Sequence, residues 1–177
     1  MLDLVINSLR MRPDRIIVGE IRRQREAEVL FEAMHTGHSV YATVHANNAQ
    51  ETIIRLTNPP INVPKKMLGI VSMIVVQNRN RRTGFRRTLQ VAEVTHEGDP
   101  RVLMQLDVPK DKLVKVREAK RIFETLNLYT GMTPAEVKKD LDEKIDILKW
   151  MTRRNIVDVH KIGKIMSKYY TGELKKT

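Results

Sequence analysis

Residues 11–27 read MRPDRIIVGEIRRQREA, and the fold turns on how the centre of that stretch is taken. Ile16, Ile17 and Val18 form a short apolar run that closes on Gly19 and Glu20. Such a run suits a parallel strand buried on both faces, and it delivers a carboxylate to the carboxyl edge of a sheet, where α/β proteins place ligands. A helix follows. Over Gln24–His35, the residues Ala27, Leu30, Phe31 and Met34 recur at helical spacing, and Gly37 stands where a left-handed cap belongs. The next stretch, TGHSVYATVHANNA from Thr36 to Ala49, gives a second strand through Val40, Ala42 and Val44, flanked by Ser39 and His45. Asn48-Ala49-Gln50-Glu51 resembles a capping box that opens a helix through Ile53, Ile54 and Leu56, and Asn58-Pro59-Pro60 stops it. Strand, helix, strand and helix in that order predict right-handed crossovers and a parallel sheet.

On the amino-terminal side, MLDLVINSLR reads as an amphipathic helix with Leu2, Val5, Ile6 and Leu9 on one side. On the other side, Pro64 starts a short helix over Lys65–Gly69. Met73–Gln77, Phe85–Glu93 and Val102–Val108 are three β-rich runs, punctuated by Gly84 and by Gly98-Asp99-Pro100. They predict an antiparallel meander that joins the parallel sheet or extends its edge. Past Pro109 the chain turns helical and charged. Val116–Leu128 is amphipathic, and Thr133-Pro134-Ala135-Glu136 combines an N-cap, a proline at the first helical position and a glutamate at the third. That helix is expected to reach about Arg154 and to bury Val137, Leu141, Ile145, Leu148 and Trp150 or Met151. Asp158 caps a last helix through Ile162, Ile165 and Met166, and the final GELKKT is expected to fray. The fold class is therefore α/β, with parallel strands, then a β meander, then a carboxyl-terminal helical region. The domains are expected over 1–109 and 110–177.

Composition bounds the rest. The chain has 177 residues, 41% of them hydrophobic, which is enough for a core. No cysteine is present, so disulfides and thiolate metal sites are excluded and a reducing cytosolic compartment is expected. The longest apolar stretch, Ile70–Val76, is too short to span a bilayer, and no secretory signal opens the chain. A net charge of +11 favours anionic partners of some kind. No aromatic residues interleave with the basic ones as on a single-strand platform, so specific nucleic-acid binding is not expected.

Glu20 heads the candidates for chemistry. A carboxylate at a strand tip can orient or deprotonate a water aimed at a phosphoryl group, or it can cap the next helix or pair with Arg22. His45, at the same sheet edge, can bond a phosphate oxygen or can be a satisfied residue of a strand end. His38, at the opposite strand end, reads as structural. His38 and His45 are seven residues apart and alternate faces, so they do not share a metal, and no metal site is expected. Arg22, Arg23 and Arg25 follow Glu20 directly. Positive charge near a helix N-terminus costs about 0.3–1 kcal/mol at the surface, so three arginines there suggest an anionic ligand or a subunit interface, unless they are simply solvated.

Together these stretches resemble the secretion ATPase superfamily: the motors of type II and type IV secretion, type IV pili and the archaellum. PDRIIVGEIRRQREA resembles its Walker B segment, and TGHSVYATVHANNA followed by Arg55-Leu56 resembles its histidine box. The wording from Leu9 to Ala46, then RLTNPPINVP, is most similar to the archaeal branch. The resemblance covers about Asn7 to Pro64 and implies a partial RecA-like P-loop ATPase core. It implies that Glu20 is catalytic, that His45 contacts phosphate, and that Gly19 holds the place where many P-loop enzymes carry the Walker B aspartate. Gly19, Arg22 and His45 are then the nucleotide-contacting residues, with ATP and Mg²⁺ as cofactors. Bacterial members commonly carry aspartate at the position of Arg23, and this chain departs there. The implied partners are further copies in a hexamer and a polytopic membrane platform protein, at the cytoplasmic face of the membrane.

One part of the pattern is missing. No G-x-x-x-x-G-K-[ST] loop occurs in the 177 residues. The chain is therefore expected to be the carboxyl-terminal portion of a motor, beginning inside the ATPase core and inactive alone. The strand Arg15–Gly19 is expected to present an open edge where the strand leading to that loop would pair, driving self-association. The alternative is a non-enzymatic basic module that docks a membrane protein, acidic lipid or nucleic acid.

Overall fold

The computed structural model describes residues 2–174 and divides into two compact units, Met1–Ile122 and Phe123–Thr177. The first unit opens with α1 (Leu2–Arg10), which lays Val5 and Leu9 against the core. Next come β1 (Arg15–Val18), α2 (Gln24–His35), β2 (Ser39–Ala42) and α3 (Ala49–Thr57). The strands β1 and β2 are parallel, with Arg15 beside Ser39 and Val18 beside Ala42.

Local sequence explains these boundaries. After α2 the amide of Gly37, at φ 92°, donates to Met34 O and that of His38 donates to Ala33 O, so the left-handed glycine closes the helix. At α3, Asn48 Oδ1 accepts from the amide of Glu51 at 2.8 Å. The reciprocal arm of the box differs from the expected one, because Glu51 reaches back to the amide of Asn47 rather than to that of Asn48.

A 3-10 turn (Lys65–Ile70) leads into a four-stranded antiparallel sheet: β3 (Met73–Arg79), β4 (Arg86–Val94), β5 (Pro100–Asp107) and β6 (Lys112–Lys115), in that order. The meander thus has four strands, not three. The unit continues past the boundary expected at residue 109 because Lys112–Lys115 pairs with Met104–Asp107 of β5. Gly98, at φ 85°, turns β4 into β5 so close to the 3-10 turn that a Cβ there would stand 2.6 Å from the carbonyl oxygen of Lys65.

One cluster of buried side chains joins the elements of this unit, with Phe31 and Leu30 from α2, Leu56 from α3, Leu68, and Val76, Ala92 and Val94 from the sheet. Each of the larger residues contributes about 1.5–3 kcal/mol by leaving water. Two expectations change here. First, β1 is covered on one face only: Ile16 and Val18 are buried, whereas Ile17 is 80% exposed and its ladder partner Tyr41 57% exposed. Second, the meander neither joins nor extends the parallel pair. Among the described residues β2 pairs only with β1, and β3 only with β4. A cavity of about 470 Å³ lies between them, lined by Val40 to Ala46, by Met73 to Gln77 and by Leu30, Phe31 and Leu56. The open edge along this trough belongs to β2, and β1, whose one ladder partner among the described residues is β2, keeps the open edge expected for Arg15–Gly19.

In the second unit, α4 (Arg121–Thr130, its first two residues in the first unit) is followed by α5 (Pro134–Arg153) and α6 (Val159–Tyr170). Thr133 and Glu136 form the expected reciprocal box, and Asp158 Oδ1 accepts from the amide of Lys161. The buried residues of α5 are Val137, Ile147 and Met151, while Leu141, Ile145 and Leu148 are exposed. The buried stripe is rotated from the expected one because 137, 147 and 151 share a face at 3.6 residues per turn. The fraying expected for GELKKT falls partly on 175–177, outside the described residues.

Candidate functional site

The parallel register sets the site. Val18 and Ala42 are partners at the carboxyl ends of β1 and β2, so both strands emit their next residues at one edge. Thr43 ties the two exits together: its hydroxyl donates to the carbonyl of Gly19, and its own carbonyl accepts from the amide of Ile21 at 3.0 Å. Glu20 lies between those two attachments, and His45 lies two residues past Thr43 on the facing segment.

The two side chains meet. His45 Nε2 is 3.3 Å from Glu20 Oε1, and Arg22 Nε donates to Glu20 Oε2 at 2.6 Å. Glu20 is 16% exposed and His45 79% exposed, so a carboxylate recessed at a strand tip is overhung by an imidazole open to solvent. The Arg22 hydrogen bond holds the Glu20 carboxyl below the ordinary carboxylate range, and the charges of Arg22, His45 and Arg55 act in the same direction. Glu20 is therefore an ionised acceptor at neutral pH. That suits orienting a water more than taking its proton, because a depressed pKa makes a weak base.

The neighbouring candidates separate into groups. Gly19 contributes its carbonyl to Thr43, and a Cβ built on it would meet nothing within 4 Å, so space alone does not demand glycine. Arg22 is engaged twice, through its side chain to Glu20 and through its amide to Glu26 Oε2 at 3.1 Å. The Glu26 contact satisfies an amide just ahead of α2, where Arg23 supplies no side-chain cap. Arg23 and Arg25 are exposed. His38 is structural: its Nδ1 lies 3.2 Å from Ala33 O and 3.1 Å from Thr36 Oγ1, at the end of α2. Sequence reading passed over Thr43 and the electrostatic part of Arg55. The signal for Thr43 was its position in register one residue past Ala42, which only the pairing reveals.

A carboxylate, an imidazole and a guanidinium around one point fit the terminal phosphoryl group of a nucleotide together with a water. They do not form a metal cage: among the described residues no three His, Asp or Glu gather to hold a metal ion. An Mg²⁺ ion taken here would rely on phosphate oxygens and water for most of its ligands, as that ion usually does. Among the described residues, no helix is long and apolar enough to cross a membrane.

The sequence profile of the type II/IV secretion system protein family matches residues 1–133. The chain belongs to that family. Among its relatives is an uncharacterised protein of Methanocaldococcus jannaschii, MJ1287, 33% identical over 157 residues, which cover 84% of this chain and 57% of that protein. The type IV pilus assembly ATPase PilB of Thermus thermophilus is 34% identical over 127 residues, covering 70% of this chain and 12% of that protein. The family member thus spans little more than half the length of the first relative and about an eighth of the second. The X-ray structure of the Yersinia pseudotuberculosis ATPase DotB overlaps 90% of this chain and 38% of its own, with a TM-score of 0.41 and 20% identity.

Proposed function

We propose that these residues form the carboxyl-terminal part of a motor ATPase core, in which Glu20 and His45 face the terminal phosphoryl group of ATP. The observation that carries this reading is the meeting of those two side chains, 3.3 Å apart, at the carboxyl edge of a parallel strand pair. Family membership and the pilus-assembly relatives support it. Mg²⁺-bound ATP supplies the bond to be broken and a cation that spreads the developing charge. Glu20, ionised, accepts a hydrogen bond from the attacking water and fixes its line of approach. His45 donates to a phosphoryl oxygen, while Arg22 keeps the Glu20 carboxylate charged and oriented.

The backbone cradle that anchors the rest of a triphosphate comes, on this reading, from polypeptide outside these residues. The trough between β2 and β3 supports that view. Each strand lacks a ladder partner there, and both line the same apolar cavity, so one extended strand entering it would satisfy two bare edges. The exposed face carrying Ile17 and Tyr41 likewise calls for cover, since parallel sheets are normally packed on both sides. Assembly into a hexamer, docking on a polytopic membrane platform and a place at the cytoplasmic face of the membrane belong to the same proposal.

The reading is tested by binding of a fluorescent ATP analogue to this chain alone and to the chain combined with a loop-bearing segment of a family member. No binding alone and binding in the combination are expected. Tight binding by the chain alone would remove the need for an added cradle.

A second reading has one observation in its favour. Leu141, Ile145 and Leu148 leave an exposed apolar stripe on α5, flanked by Lys149 and Arg153. On that reading the second unit is a docking module for a membrane protein. Leu141→Asp and Leu148→Asp would then abolish capture of the platform protein without touching nucleotide binding.

A further inference from the structure

The hairpin joining β3 to β4 carries Arg79, Arg81, Arg82, Arg86 and Arg87 within nine residues. Only Arg87 is neutralised. Its Nε and Nη2 each lie 2.6 Å from an oxygen of Asp111, and its guanidinium stands 5.0 Å from the centre of the Phe85 ring. Among the described residues, the guanidinium groups of Arg79, Arg81, Arg82 and Arg86 have neither a carboxylate nor a carbonyl partner.

The turn that holds them is ordered by its own bonds. Asn80 Oδ1 accepts from the amides of Arg82 and Thr83 at 2.9 and 3.1 Å, and the amide of Asn80 donates to Phe85 O at 2.9 Å. Arg79 sits directly opposite Arg86 in the ladder. Like charges at facing positions of an antiparallel pair destabilise it, so folding gains nothing from this arrangement. Arg79 and Arg81, with Asn78 and Asn47, line a cavity of about 530 Å³. Asn47 follows His45 by two residues and is held by Glu51, which accepts from its backbone amide and from its Nδ2. Among the described residues that carboxylate is the only one bonded to a lining residue, and none lines the cavity itself.

We propose that this cavity is an anion site for phosphate groups, with Arg79 and Arg81 as the binding residues and Asn47 and Asn78 as polar walls. A guanidinium presents a fork of N–H donors that matches phosphate oxygens in pairs, and two such forks without internal partners suit a polyphosphate or a phosphoester dianion. Binding such a ligand would also relieve the repulsion between Arg79 and Arg86. The site is separate from Glu20 and His45 and does not depend on the ATPase reading. Its phosphate can belong to a soluble polyphosphate or to a lipid headgroup.

Calorimetric titration of this chain with tripolyphosphate, and sedimentation with phosphatidylcholine vesicles containing or lacking phosphatidic acid, test the proposal. Expected are binding of tripolyphosphate, a loss of at least tenfold in Arg79→Ala/Arg81→Ala, retained binding in Arg82→Ala, and no change in His45→Ala. Partial retention in Arg79→Lys/Arg81→Lys would fit loss of the fork with the charge kept. The thermal midpoint of the double alanine variant should equal or exceed that of the parent, since a like-charge pair has been removed. Vesicle binding lost in the same variant, without tripolyphosphate binding, would support the site with a headgroup as its source. Binding of neither probe, binding indifferent to Arg79 and Arg81, or a large fall in the midpoint would overturn the proposal.

Discussion

Glu20 is held from two sides, and the sign of its pKa shift gives a pH prediction. The Arg22 hydrogen bond lowers its pKa in the folded chain. A carboxyl with a depressed folded pKa adds stability that is fully present above its unfolded value and is lost as the pH falls through the folded one. Glu20→Gln should therefore unfold at lower urea concentration than the parent at neutral pH, and the gap should close as the pH falls through and below the ordinary carboxylate range. Urea midpoints of both proteins across that range check this. A gap that widens in acid would contradict the assigned direction. At this scale the sequence was informative where chemistry clusters along the chain: Glu20 and Arg22 are two residues apart. It was silent on Thr43 and Arg55, whose parts depend on which strands and helices lie side by side.

Among the elements, the most consequential contact is one that periodicity does not reveal. Glu93, on β4, is 1% exposed and is the one buried charged side chain among the described residues. It accepts from the amides of Lys120 and Ile122 at the start of α4 and pairs with Arg101 Nη1 at 3.0 Å. Arg121 donates to the carbonyls of Gly69, Val71 and Val94 beside it. Removing one partner of a buried pair strands the other, so Arg101→Ala should cost about 3 kcal/mol. Lys144→Ala, which breaks the more exposed Lys144–Asp140 pair, should cost about 0.5 kcal/mol. Chemical denaturation of the two variants compares them directly, and equal costs would argue against a buried role for Glu93.

The helices were legible because their signals are local. The Gly37 cap, the Asn48 cap and the Thr133–Glu136 box each act within a few residues. β6 was not legible, because its four residues, Lys-Leu-Val-Lys, owe their extended form to pairing with β5. The buried face of α5 was misjudged for a related reason: its apolar residues wrap around the helix, and tertiary packing selects which of them are covered.

At the scale of the molecule, the first unit is a parallel pair and a meander with a trough between them. Both strands along the trough have a bare edge, and the outer face of the parallel pair presents Ile17 and Tyr41 to water. Bare edges and an exposed apolar sheet face recruit partners. The isolated chain should therefore self-associate, with a mass by light scattering that rises with concentration. Tyr41→Lys should shift that equilibrium toward the monomer, and a monomer at all concentrations would contradict the expectation. Sequence reading assigned the open edge to the strand carrying Glu20. The fold keeps an open edge there, because among the described residues β1 pairs only with β2, and it leaves a second bare edge on β2 along the trough.

The central claim is that Glu20 and His45 act together on a phosphoryl group once a phosphate-binding cradle is supplied. The direct measurement is steady release of phosphate from ATP by this chain joined to a loop-bearing segment, for the parent and for Glu20→Gln. The geometry predicts sustained turnover in the parent, a loss of at least about a hundredfold in Glu20→Gln, and nucleotide binding retained in both. Turnover of equal rate in the two proteins would contradict it.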